Sequence, residues 1–236
     1  MSSFCFAPGE PPSVAVAGTA ARFPVHRIYC VGRNYADHVR EMGNDPRSAA
    51  PVFFTKPPDA VVANGAAVPY PQATANLHHE IELVVGLKSG GRDLTAQQAL
   101  AHVFGYAAGN DLTRRDLQQV ARERGQPWDS SKGFDASAPL AALRPAAEGH
   151  LRAGRIWLKV NGVLRQEADV SQMLWDVPHI IAALSGLYEL KAGDLIFTGT
   201  PAGVGALRPG DQVEGGIEGL EVLHHGVAAP AASGPA

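Results

Sequence analysis

The run Leu77-His78-His79-Glu80-Ile81-Glu82-Leu83-Val84-Val85 constrains this chain more than any other stretch. Polar and apolar residues alternate through its middle and it closes on apolar, β-branched residues, the pattern of a strand. Successive side chains of a strand point to opposite faces. His78, Glu80 and Glu82 therefore share one face, and His79, Ile81 and Leu83 the other. Two carboxylates ~5 Å apart repel by roughly 3 kcal/mol at an effective dielectric of ~20. Water on a solvated sheet face relieves that repulsion, and so does a bound hard cation. The strand by itself leaves both readings open.

The rest of the chain is cut into short elements by 26 glycines and 18 prolines, which favour turns over long helices. Residues 27–31 read as a short apolar strand. It runs into Gly32-Arg33-Asn34-Tyr35, where Asn34 is expected to cap a helix over 35–42 that Gly43 closes. Thr95 and Gln98 form a capping box that predicts a helix over 95–106. A second box-like start, Thr113 with Asp116, predicts a helix ending at Gly125. Asn161-Gly162, between two apolar runs, predicts a hairpin with a type I′ turn. Asp176 is expected to cap a helix over 177–185, with Pro178 in its first turn and Gly186 beyond its end. A strand over 195–198 opens into a glycine-rich loop, Gly199 to Gly205. Residues 1–24 read as an arm or edge ribbon, 25–225 as one catalytic domain, and 226–236 as a disordered tail. Many short strands with few short helices imply a β-rich α+β domain.

Composition narrows the function classes. The 236 residues suffice for one sizeable core, and 45% hydrophobic with 18% charged residues is ordinary for a soluble globular protein. A net charge of −3 supplies no basic field for nucleic acid. No run approaches the ~20 apolar residues of a membrane span. The segment Met1 to Pro8 lacks the cationic and apolar regions of a secretory signal. Cys5 and Cys30 make no disulfide framework, so a reducing cytoplasm is the expected compartment.

Asp111, at a strand-to-helix junction, is a third acid that can join Glu80 and Glu82. Three carboxylates make an oxygen site suited to Mg²⁺ or Mn²⁺ with positions left for water and substrate. Alternatively, Asp111 is an acid favoured by a helix start. His38 and Glu41 lie three apart on a short helix and share a face. A carboxylate that orients a histidine makes a general base near neutral pH, whereas on a solvated face the same pair is a weak surface ion pair. Arg33, Lys56 and Lys132 sit in loops and are either ligands for a substrate carboxylate or solvated charges. The loop from Thr198 to Gly205 offers hydroxyls and bare amides to an oxyanion or carboxylate, but lacks the ending of a P-loop. His78 is either a donor to a carboxylate or a packing residue.

Three long motifs occur in one order: Tyr29-Cys30-Val31-Gly32-Arg33-Asn34-Tyr35-Ala36-Asp37-His38, Leu77 to Leu83, and Phe197 to Gly205. With the shorter strings Lys159-Val160-Asn161-Gly162 and Arg165-Gln166, they resemble the fumarylacetoacetate hydrolase family over residues 25–223, closest to its acylpyruvate hydrolase branch. The arm from Pro12 to Val25 resembles that of bacterial fumarylpyruvate hydrolases of gentisate breakdown. The resemblance implies a mixed β-sandwich roll with a few short peripheral helices, assembled as a homodimer. It implies Glu80, Glu82 and Asp111 as Mg²⁺ ligands, with Mn²⁺ as a substitute. His38 and Glu41 match a catalytic dyad on a lid-like helix, and Lys132 matches an active-site lysine. Arg33, Lys56, Gln118 and Thr200 match residues that contact substrate. The implied reaction is hydrolysis of a fumarylpyruvate-like diketo acid to fumarate and pyruvate. Decarboxylation of oxaloacetate, or hydration or isomerisation of a diene acid, are the rivals on the same fold.

Overall fold

The computed structural model describes residues 4–43, 45 and 51–230. Its centre is the strand Ile81–Leu87, buried at every position. It lies in an eight-stranded mixed sheet between Leu195–Phe197 and Val103–Asn110, antiparallel to both. Beyond Leu195–Phe197 the sheet continues through Ile28–Gly32, which is parallel to it, to the edge strand Val52–Lys56. Beyond Val103–Asn110 it continues through Ala138–Leu140 to Val61–Ala63. A five-stranded sheet runs in the order Val163–Asp169, Arg155–Val160, Gln212–Ile217, Leu223–Ala228 and Val68–Pro69.

The period of two assigns the core. Ile81, Leu83, Val85 and Leu87 join Ile156, Leu158, Val213 and Ile217 of the five-stranded sheet in one apolar cluster. Val84, on the opposite face, belongs to a second cluster with Ile28, Cys30, Leu195 and Phe197. The N-terminal segment covers that second cluster as a ribbon: Ser13–Ala15 pairs with Arg22–Pro24, and Val14 and Phe23 turn inward. Phe23 stacks at 5.1 Å on Phe104. The expected β-rich fold is therefore present, with helices confined to short peripheral pieces such as Ala36–Glu41, Arg115–Glu123 and Val177–Leu187. Among the described residues no helix is long and apolar enough to cross a membrane.

Several local expectations change. The strand expected to run unbroken through Glu80 is two strands, Leu77–His79 and Ile81–Leu87, which belong to different sheets. At the break the Glu80 N–H donates to the Asn110 side chain at 2.8 Å and the Glu80 carbonyl accepts from the Asp111 N–H at 2.8 Å. The capping box at Thr95 is present, but its α-helix ends at Ala99 and a single 3₁₀ turn follows. From Val103 the chain is strand instead, because it pairs with Leu87 and Val85 and lets Gly105 pack against the Arg144 carbonyl. Thr113 is in a strand pair with His78, and the next helix starts at Arg115 without a side-chain cap. Asn34 does not cap its helix; it ties the helix start to Trp175 and to the Thr198 carbonyl. Gly186 lies inside the helix that Asp176 caps. The final strand runs to Ala228, three residues into the expected tail, and residues 231–236 lie outside the described ones. The hairpin holds: Asn161 and Gly162 have φ of 51° and 77°, as a type I′ turn requires.

The hairpin gives a direct test of the core. Leu158 is fully buried and Val163 is 52% exposed. Leu158→Ala should cost about 2–5 kcal/mol in urea unfolding, and Val163→Ala no more than about 0.5 kcal/mol. Equal costs would mean that the two sheets do not share this core.

Candidate active site

The break at Glu80 sets the geometry of the site. Glu80 sits in the one-residue gap after His79 ends one strand, and Glu82 follows two residues later in the next strand, so both carboxylates turn to one side. Asp111, just past the strand Val103–Asn110, meets them there. One oxygen from each lies within 4.8 Å of the others, and all three residues are buried. These three acids form the floor of a cavity together with Lys132 and Arg115.

The acids are compensated unequally. Lys132 Nζ lies between Glu80 Oε2 and Asp111 Oδ2, 2.7 Å from each. Arg115 holds the other oxygen of Glu80. Burial alone would push Glu80 up, but the Lys132 and Arg115 charges outweigh it and hold this carboxyl well below the usual range. Among the described residues Glu82 has no such partner; its Oε2 accepts from the Gly199 N–H at 2.8 Å. Burial, and then the charges of Asp111 and Glu80, push Glu82 well above an ordinary carboxylate. Lys56 Nζ is 2.8 Å from Asp111 Oδ1 but not directed at it, so that buried oxygen accepts no hydrogen bond. A carboxylate without a cation and an orphaned carboxylate oxygen, side by side, fit a divalent ion. All-oxygen donors suit Mg²⁺ or Mn²⁺ rather than zinc.

Above the floor, His38 Nδ1 pairs with Glu41 Oε2 at 3.0 Å. Glu41 Oε1 in turn accepts from the Gly203 N–H at 3.1 Å. Burial raises the Glu41 pKa, but the His38 and Gly203 hydrogen bonds prevail and lower it. The pair fixes the histidine tautomer and leaves Nε2 as the free basic nitrogen. His38 is buried and lines the cavity, while Glu41 behind it is exposed, so the pair joins the cavity wall to the surface.

The glycine-rich loop does bind carboxylates through its amides, but they are the protein's own: Glu82 at Gly199 and Glu41 at Gly203. Gly203 has φ +94°, and a Cβ there would lie 2.1 Å from the Arg165 carbonyl oxygen, so the close approach requires glycine. Thr200 lines the cavity, yet its hydroxyl donates to the Ile81 carbonyl and accepts from Gln166. Gln166 also receives the Ile81 N–H and bonds His79 Nδ1 at 2.9 Å, which clamps loop to strand.

Of the remaining expected residues, Arg33 and Gln118 line the cavity with Lys132. Lys56 does not: it lies behind Asp111, fully buried, bonded to the Leu112 and Lys132 carbonyls. It supports Asp111 from behind instead of lining the cavity. His78 is pushed down to about 4 by burial and by Arg115, and its neutral Nδ1 accepts from Arg115 Nε at 3.4 Å. It thus backs the arginine that holds Glu80. Sequence reasoning did not single out Arg115. Its signal was its place four residues after Asp111 and three before Gln118, at the start of a helix. Asn110 and His225 were also missed. His225, neutral with a pKa near 4 because it is buried, accepts from Asn110, which fixes the Glu80 backbone.

With this geometry in place, the family is clear. A model of the fumarylacetoacetate (FAA) hydrolase C-terminal domain matches residues 27–228, and the chain belongs to the fumarylacetoacetate hydrolase family. A crystal structure of fumarylpyruvate hydrolase from Pseudomonas aeruginosa, in complex with Mn²⁺ and pyruvate, superposes with a TM-score of 0.94 at 49% identity, covering 96% of this chain and 100% of that one. A fumarylpyruvate hydrolase of a Ralstonia species is 45% identical over 168 residues, 71% of this chain and 88% of its own. A mitochondrial oxaloacetate tautomerase of Rattus norvegicus is also 45% identical, over 194 residues, 82% of this chain and 87% of its own.

If ion and Lys132 share the same carboxylates, Lys132→Met should lose about 3 kcal/mol of stability in chelator and recover much of it in saturating Mn²⁺. Denaturant unfolding in both conditions checks this; an equal loss in both would separate lysine from ion. Glu80→Gln should weaken Mn²⁺ binding about tenfold or more in titration calorimetry.

Proposed function

We propose that this chain is a divalent-metal-dependent hydrolase that cleaves a fumarylpyruvate-like acylpyruvate to fumarate and pyruvate. The observation that carries the reading is a buried triad of acids in which Glu82 is met by a backbone amide instead of a side-chain cation, with a carboxylate-oriented histidine over the same cavity. The likeness to fumarylpyruvate hydrolases supports it. Formally, Glu80, Glu82 and Asp111 are matched by Lys56, Lys132 and Arg115. A diketo diacid carries two negative charges, so its arrival together with a divalent ion leaves the balance of the buried site unchanged.

Glu80, Glu82 and Asp111 would hold the ion, Mg²⁺ or Mn²⁺. When bound, it supplies Lewis acidity to the keto-acid end of the substrate, where electrons collect as the carbon–carbon bond breaks. His38 Nε2 takes a proton from water, and Glu41 stabilises the imidazolium that forms. The hydroxide adds to the distal carbonyl. The bond between that carbon and the methylene breaks, and its electron pair leaves with pyruvate as an enolate. The proton on His38 is available to the enolate carbon, so one water is consumed overall. Lys132, on the floor, offers an ammonium to developing oxyanion charge. We place this activity in cytoplasmic, gentisate-type aromatic catabolism, in a homodimer.

The likeness to an oxaloacetate tautomerase favours a second reading, proton transfer at the carbon beside the keto group of a smaller diacid. It needs the same dyad and no water. Incubation of the purified protein with fumarylpyruvate and Mg²⁺ should remove the enol absorbance and yield fumarate. His38→Ala should lower that rate by about 10²–10⁴-fold without changing metal affinity. No fumarate from metal-loaded enzyme, with oxaloacetate tautomerised instead, would establish the second reading.

A further inference from the structure

Three residues of the helix Arg115–Glu123 line the cavity: Arg115, Gln118 and Arg122. At spacings of three and four they stand in one row on one helix face. Arg115, at the inner end, is buried and engaged by Glu80 and Gln118. Arg122, at the outer end, is exposed. A rise of 1.5 Å per residue puts it roughly 10 Å farther along the axis than Arg115. Its guanidinium makes one long bond, 3.4 Å, to the Met42 carbonyl, and among the described residues no carboxylate pairs with it. Phe54, Trp128 and Met42 line the same cavity, with the Phe54 and Trp128 rings 5.7 Å apart. The cavity thus has a cationic, acid-lined floor, flat apolar walls and a second cation at its rim.

From this arrangement we infer that Arg122 selects the substrate: it binds a second carboxylate at the far end of the acyl group and favours dicarboxylic acylpyruvates over those with a neutral acyl group. The inference rests on the fumarylpyruvate reading above and adds to it the residue that recognises the distal carboxylate. The dimensions agree. A seven-carbon diketo diacid, extended like a backbone, spans ~7 Å between its carboxyl carbons. Its oxygens and two arginine-length side chains close the remaining gap. A planar conjugated chain suits the aromatic walls, and a guanidinium takes a carboxylate through two parallel hydrogen bonds. An arginine at the rim stays hydrated when the cavity is empty, so no buried charge is left uncompensated. Arg33 also lines the cavity, on the turn that leads into the dyad helix, and is the competing candidate.

Steady-state kinetics with fumarylpyruvate and with acetylpyruvate, which lacks the distal –CH=CH–COO⁻ group, test the inference in Arg122→Gln, Arg122→Lys and Arg33→Gln at saturating Mg²⁺. Arg122→Gln should reduce the kcat/KM ratio of fumarylpyruvate over acetylpyruvate by about 10- to 100-fold, mainly through KM for fumarylpyruvate. Arg122→Lys should restore part of the ratio. An unchanged ratio in Arg122→Gln, or a fall confined to Arg33→Gln, overturns the inference while the hydrolase reading stands. Wild-type enzyme that cleaves neither substrate overturns both.

Discussion

The mutual repulsion of three buried carboxylates is the constraint on which the rest of this structure depends. Glu80, Glu82 and Asp111 are brought within 4.8 Å, where little water reaches them. Such a cluster survives only if surrounding groups are arranged to receive its charge. The long apolar strand Ile81–Leu87 anchors one side through both hydrophobic clusters. Lys56, Lys132 and Arg115 come from three separate elements and converge from behind and beside the acids. The compensation is weakest at Glu82, whose carboxylate, among the described residues, is met by the Gly199 amide and by no side-chain cation.

The second organising element is the loop from Gly199 to Gly203. Its first amide holds a carboxylate of the triad and its last holds the carboxylate behind His38. Five residues therefore fix the distance between two parts of the chemistry that are far apart in sequence. Gln166 binds the loop and the strand Ile81–Leu87 with a single amide group, using both its acceptor and its donor sides. A small error in that register would reach the acids and the histidine together.

How much of this was legible in the sequence depends on the range of each interaction. Glu80 and Glu82 stand two apart, and His38 and Glu41 three apart, so strand and helix periods bring each pair together. The turn at Asn161-Gly162 and the cap at Asp176 are equally local. The break at Glu80 was not legible, because Asn110 and Asp111, thirty residues on, supply the bonds that replace the ladder. The helix expected over 95–106 stops early because Val103 and Tyr106 gain strand partners that no local pattern announces. Arg115 reads as one of many surface arginines until its partner, Glu80, is in place. Lys56 was read as facing substrate, since nothing nearby in the chain shows that it passes behind Asp111.

The distribution of the cavity's parts over the chain has an evolutionary consequence. The acids and the loop that steadies them sit in or directly beside strands of the central sheet, where each side chain is tied to several others. Phe54 lies on an edge strand, Trp128 ahead of a one-turn helix, and Met42 at the end of a six-residue helix. Substitution at those three positions alters the shape of the chamber and leaves the triad's bonds intact. Selection can thus retailor the chamber one wall at a time around an unchanged reaction centre. A scaffold built this way can give rise to enzymes for long and short keto acids by peripheral drift alone.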